Sequence, residues 1–194
     1  MARGGQGLAR VAVVVRAGAA PLWWCGVFAA GVGVLPPGLT GRRIGVLAGA
    51  ASFIVAAAVV ACRRRRRYAA LAGSAAHAGK HDMLQDRAVT VRNWRRGHRW
   101  WLLAAFVAAL ACAFAVPAAG GMLLAGTGVG LWLKADWLGR RERTDEALLW
   151  VRVDWLGRGA GEPAGKRVKA YRATGVAAGD AAPGGARRRT DALV

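Results

Sequence analysis

The sequence predicts an all-α, multi-pass membrane protein: four transmembrane helices arranged as two hairpins, a cytoplasmic amphipathic helix and a disordered basic tail. Three observations carry that prediction. Apolar residues make up 55% of the 194-residue chain, yet 29 Lys+Arg stand against 10 Asp+Glu, a formal net charge of +19. The charges come in blocks separated by long charge-free runs, where a soluble protein intersperses both signs. A Pro/Gly cluster also interrupts each long apolar stretch, at Pro36-Pro37-Gly38 and at Pro117-Ala118-Ala119-Gly120-Gly121. Collagen, disulfide scaffolds and wholly disordered chains do not have this composition.

Residues 1–18 read as a basic N-terminal tail carrying Arg3, Arg10 and Arg16. A hydrocarbon core about 30 Å thick needs roughly 20 apolar residues. The uncharged run 17–41 contains a helix that the prolines stop early, giving a first span over 19–35. The second, over 44–62, ends at five consecutive arginines. Residues 19–62 thus form the first transmembrane hairpin. Residues 100–133 are charge-free, and one helix of that length would reach roughly 51 Å, too far for one crossing. The central Pro/Gly cluster divides this run into spans over 100–116 and 122–137, making 100–137 the second hairpin. Its alternative is one span followed by an interfacial glycine-rich segment, disfavoured because non-helical backbone is costly in lipid. Each hairpin opens with a tryptophan pair, Trp23-Trp24 and Trp100-Trp101, suited to the headgroup belt.

Lys/Arg counting sets the orientation. Segment 63–99 holds eleven basic residues, and the stretch from Lys134 onward holds thirteen. The first hairpin turn has only Arg42 and Arg43, and the second has none. The expected location is the cell membrane, with both termini and segment 63–99 cytoplasmic. The short run 11–15, broken by Arg16, is too short for a signal h-region, and Trp fills the lipobox positions before Cys25. The first apolar segment therefore reads as an uncleaved anchor. Cys25, Cys62 and Cys112 lie in three different spans and form no disulfide framework.

The cationic candidates fall in two places. In the cytoplasmic segment 63–99, Arg63, Arg64, Arg65, Arg66 and Arg67 stop the second span and grip anionic headgroups. Arg92, Arg95, Arg96 and Arg99 interleave with Trp94 and Trp100, a pattern that suits either the membrane interface or stacked bases on a cationic track. The adjoining spans favour the membrane for both groups. The disordered tail 159–194 carries Lys166, Arg167, Lys169 and Arg172, then Arg187, Arg188 and Arg189. No span explains these, so a polyanion such as DNA gains weight as partner.

Between the last span and the tail, 138–158 reads as an amphipathic juxtamembrane helix. The pentad Asp136-Trp137-Leu138-Gly139-Arg140 recurs as Asp154-Trp155-Leu156-Gly157-Arg158, each Gly standing where a helix would end. Thr144 is placed to cap a helix over 145–156 lying on the membrane surface. A strand competes, because 149, 151, 153 and 155 alternate as apolar positions.

The chemistry expected is non-enzymatic, with no cofactor or metal. Apart from Lys134 and Asp136 at the inner end of the fourth helix, no ionisable residue falls inside a span, which argues against proton-coupled carriers. Ser52 and Thr127 are too few to line a hydrophilic pore. His77 and His81 have i, i+4 spacing but read as solvent-facing. Gly126-Thr127-Gly128-Val129-Gly130 lacks the lysine of a phosphate loop. Gly45 with Gly49, Gly126 with Gly130, and more weakly Gly26 with Ala30 let helices approach closely, within the bundle or along a homo-oligomer seam.

The chain has 25 Arg to 4 Lys, as expected of a high-GC genome. Its apolar spans alternating with the arginine block 63–67, segment 92–99 and the basic tail resemble the spread proteins of actinomycete conjugative plasmids. That resemblance implies an accessory of plasmid transfer whose cytoplasmic basic segments contact DNA or a translocase. The alternatives are a holin-like or small oligomeric pore protein, and a membrane scaffold for another protein.

Overall fold

The computed structural model describes residues 7–36, 39–79, 82–156 and 162–175. The chain is mostly helical, but all-α is too simple. Five short strands form one sheet. In chain order the elements are β1 (Gly7–Arg10), α1 (Val11–Ala17), α2 (Ala19–Gly33), α3 (Arg42–Cys62), α4 (Arg65–Gly73), β2 (Ala76–His77), β3 (Met83–Leu84), α5 (Arg87–Cys112), α6 (Ala119–Thr144), β4 (Ala147–Arg152), α7 (Val153–Leu156) and β5 (Arg172–Gly175).

Among the described residues, two helical runs are long and apolar enough to cross a membrane: Val11–Gly33, which is α1 continued through Gly18 into α2, and Arg42–Gly73. α5 and α6 each extend for 26 residues, joining an apolar half to a charged half without a break. α6 is the central helix, packed on α2, α3 and α5. The turns of the two hairpins are hydrogen-bonded to each other, Leu39 N–H donating to the Phe114 carbonyl (3.2 Å) and Ala118 N–H to that of Gly33 (3.2 Å).

Side-chain size in this bundle is reversed relative to a water-soluble core. Gly26, Ala29, Gly45, Gly49, Ala57, Ala109, Gly121, Ala125, Gly126, Gly128 and Gly130 are buried. Phe28, Ile44, Leu47, Ile54, Trp100 and Trp101 point outward, Trp101 76% exposed. Close helix contact through small residues, with large apolar groups facing out, is the packing that lipid permits and water penalises.

At the end of the bundle away from the hairpin turns the pattern inverts. The sheet runs in the order β2-β5-β4-β1-β3. β4 is antiparallel to both β1 and β5, with Ala9 opposite Val151 and Leu149 opposite Ala173, while β1 pairs parallel with β3 and β2 with β5. One face of β4 packs Leu149 and Val151 with Val11, Val14, Val15, Tyr68, Leu138 and Tyr171. The other packs Leu148 and Trp150 with Leu8.

Four expectations are corrected here. The amphipathic helix over 145–156 is instead the strand β4 followed by the short α7, because β1 and β5 flank it and both of its faces are covered. An apolar run buried on both faces has no strict alternation, so its composition imitates a helical stripe. Gly139 does not end a helix, since α6 continues to Thr144, and the left-handed turn residue is Glu146 (φ 48°). The N-terminal tail 1–18 supplies β1 and α1, residues 7–17. In the tail 159–194, residues 162–175 are ordered, burying Ala164, Val168 and Tyr171 in the sheet core.

Candidate functional site

Two neighbouring features make up the site: the turn from α3 into α4, and the charged half of α5. At this junction Arg64 adopts a left-handed conformation (φ 61°), which interrupts the helical run between α3 and α4. Its Nη1 donates to Glu162 Oε2 (2.6 Å) and to the Ala164 carbonyl (3.4 Å). Arg67 Nη2 donates to the Gly165 carbonyl (3.0 Å). Arg65 Nε donates back to the Ala61 carbonyl (2.8 Å), and its guanidinium lies 5.5 Å from the Trp137 ring centroid. Three of the five arginines thus tie α3 and α4 to the 162–165 loop, to α6 and to each other. Arg63 and Arg66 are exposed and carry no ion pair among the described residues.

On α5, Arg92, Arg95, Arg96 and Arg99 recur at i, i+3, i+4 and i+7, one face of a helix. All four are exposed, and no ion pair among the described residues engages them. Beside this stripe, α1, α5 and α6 border a groove of about 660 Å³ lined by Arg16, Arg87, Arg95 and Arg143 together with the carboxylates of Asp136 and Glu142. Lys166, Arg167 and Lys169 are exposed on the segment leading to β5. Arg172 is half-buried within β5, its Nη1 donating to the His77 carbonyl (3.4 Å). Arg187, Arg188 and Arg189 lie outside the described residues, as does His81.

The four helix-packing glycines all sit at contacts with α6 or the turn before it. A Cβ on Gly45 would meet Pro117 Cδ at 2.6 Å, and one on Gly49 would meet Met122 Cγ at 3.2 Å. A Cβ on Gly126 would run into the Phe53 carbonyl oxygen, and one on Gly130 would meet that of Ala57 at 2.7 Å.

Sequence reasoning missed the groups that organise the basic end. Glu142 is 2% exposed, and its Oε2 accepts from Arg10 Nη2 (2.6 Å) and Nε (3.1 Å). Its Oε1 accepts from the Leu149 N–H (3.2 Å), so one carboxylate joins α6 to β1 and β4. Lys134 is 3% exposed, with Glu162 Oε1 at 3.7 Å and the Tyr68 ring centroid at 5.5 Å. Tyr68 and Tyr171 are buried, and desolvation, reinforced by Glu162, pushes both phenols above their ordinary value. The available signals were slight: Lys134 is the first charge after a long apolar run, and Glu162 a lone acid among basic residues.

Among the described residues, no three of His, Cys, Asp and Glu come together as a metal-holding group. No protein-family model, curated protein or solved structure matches the chain.

Proposed function

We propose that this is a non-enzymatic integral membrane protein that crosses the bilayer four times and holds its arginine-rich end against anionic surfaces on the cytoplasmic side. The observation that carries the reading is the reversed side-chain packing of α2, α3 and the apolar halves of α5 and α6, rimmed by many exposed arginines at the sheet end and by only Arg42 and Arg43 at the other. Large apolar groups facing outward are stable in lipid, and arginines at their margin gain about 1 kcal/mol each near an anionic headgroup layer.

The sheet supports an even number of crossings. Its strands come from three stretches of chain, before α2, between α3 and α5, and after α6. Strands of one sheet lie on one side of a membrane, so each intervening pair of helices goes out and returns. Excess Lys/Arg at that end supports a cytoplasmic side for it.

The principal partner is anionic phospholipid. DNA is the second, favoured by the exposed four-arginine stripe on α5, and with it a role as an accessory of plasmid transfer. Reporter fusions after residues 40, 80, 119 and 160 test the topology. Cytoplasmic signal is expected at 80 and 160 only, and an external signal at 80 ends the four-span reading. A mobility-shift titration of the full chain in detergent with duplex DNA tests the second partner. A shift that collapses steeply with salt supports it, and no shift at low salt leaves lipid alone. Dye release from liposomes on incorporation would instead favour the pore alternative.

A further inference from the structure

Where the apolar halves of the helices give way to the charged end, a cavity of about 260 Å³ opens between α1, α3, α5 and α6. Its polar lining is Arg63, Tyr68, Lys134, His98 and Glu162, with the Trp94 ring stacked on the His98 ring (centroids 4.2 Å apart). One of these groups is a buried donor without an acceptor, and a second, Lys134, meets its only carboxylate at ion-pair distance. Tyr68 is 1% exposed, and its hydroxyl hydrogen finds no acceptor among the described residues. Lys134 is 3% exposed, and its nearest carboxylate oxygen, on Glu162, stands at 3.7 Å, beyond hydrogen-bond distance. Glu162 is already engaged by Arg64 at 2.6 Å. Arg64 and Lys134 therefore share one carboxylate, and with Arg63 in the lining the cavity carries a surplus of positive charge.

Buried donors without acceptors are costly to maintain. A group that only accepts hydrogen bonds and carries negative charge satisfies both at once. The cavity is smaller than the roughly 300–1,000 Å³ of drug-sized ligand pockets, so it suits a phosphate with a short polar substituent and not a stacked base or a duplex.

We infer that this cavity binds a single phosphate ester, the headgroup of an anionic phospholipid, with Lys134, Tyr68 and Arg63 donating to its oxygens. The inference rests on the membrane reading above, because the cavity lies at the level where the apolar helix halves end. It is distinct from the arginine stripe: the stripe meets a surface, whereas the cavity takes one molecule.

Native mass spectrometry of the full chain in detergent tests it, with three probes: phosphatidylglycerol, diacylglycerol of the same acyl chains, and soluble glycerol phosphate. One phosphatidylglycerol should be retained in preference to diacylglycerol. Tyr68→Phe should weaken that binding by about tenfold, and Lys134→Met by more. Arg140→Ala, whose side chain pairs with Asp136 on the surface, should bind as the wild type does. Should Lys134→Met fail to fold, Tyr68→Phe still decides, since it removes the hydroxyl without an acceptor and keeps the packing. Equal retention by the wild type and Tyr68→Phe, or of diacylglycerol and phosphatidylglycerol, overturns the site and leaves the arginine stripe untouched. Glycerol phosphate competing at equal concentration keeps the phosphate site but assigns it to a soluble ester. A failure of the membrane reading shows separately, in the reporter fusions.

Discussion

Glu142 is the residue on which the basic end turns. Its carboxylate links three elements, α6, β1 and β4, from a buried position. Glu142→Ala removes acceptors from the buried Leu149 N–H and from Arg10, whose side chain is 34% exposed and so retains part of its hydration. Destabilisation of roughly 2–3 kcal/mol is expected, read as a lower melting temperature in detergent. Tyr68 and Tyr171 are the only tyrosines in the chain, which makes their titration clean. Their folded values lie above the ordinary 10.0, so the stability they contribute is complete below that pH and falls as pH rises through it. Phenolate absorbance should therefore stay low past pH 10 and rise only together with unfolding. A phenolate signal appearing at the ordinary value in the folded protein would contradict their burial. None of this was legible beforehand. Glu142 and Glu162 look like surface acids in a basic segment, and only the fold brings Arg10 and Arg64 to them across more than 90 positions.

At the scale of elements, the apolar helices were legible and the sheet was not. Spans expected over 19–35 and 44–62 correspond to α2 and α3, and the turns fall at the Pro/Gly clusters, because charge-free length and proline are local properties. β1, β2, β3 and β5 have two to four residues each and take their stability from partners distant in sequence, so no window reveals them. β4 is visible as apolar, but a strand covered on both faces lacks the strict alternation that would decide between it and a helical stripe. The glycines of α6 separate two kinds of position. A Cβ on Gly128 would meet Trp23 N at 2.7 Å, whereas one on Gly139 meets nothing within 4 Å. Gly128→Leu should force α2 away from α6 and destabilise by about 3 kcal/mol or more. Gly139→Ala, inside a helix and in open space, should stabilise by about 0.5–1 kcal/mol. Paired thermal melts check both, and a neutral Gly128→Leu would show that the two helices do not touch there.

The whole molecule joins two packing regimes. Glycine and alanine fill the interior of the helical bundle, whereas tyrosine, leucine and valine fill that of the sheet end. In the proposed membrane setting each suits its own solvent: lipid gives no reward for hiding a leucine, and water does. The two halves should consequently respond differently to detergent. Transfer from a mild to a harsher detergent should loosen α2, α3 and α6 first, seen as faster backbone hydrogen exchange there than in β4. The reverse order would mean that the bundle is held by the sheet.

The order of synthesis has a consequence for assembly. β1 is made first, yet its antiparallel neighbour β4 begins at residue 147. A nascent chain therefore completes every helix of both hairpins while its leading strand still lacks that neighbour. Closure of the sheet is in effect a late checkpoint, reached only when all three strand-bearing stretches have arrived on the same side of the helices. A chain stopped at residue 146 should keep its helices but expose its leading segment to added protease, and extending it through residue 175 should restore protection.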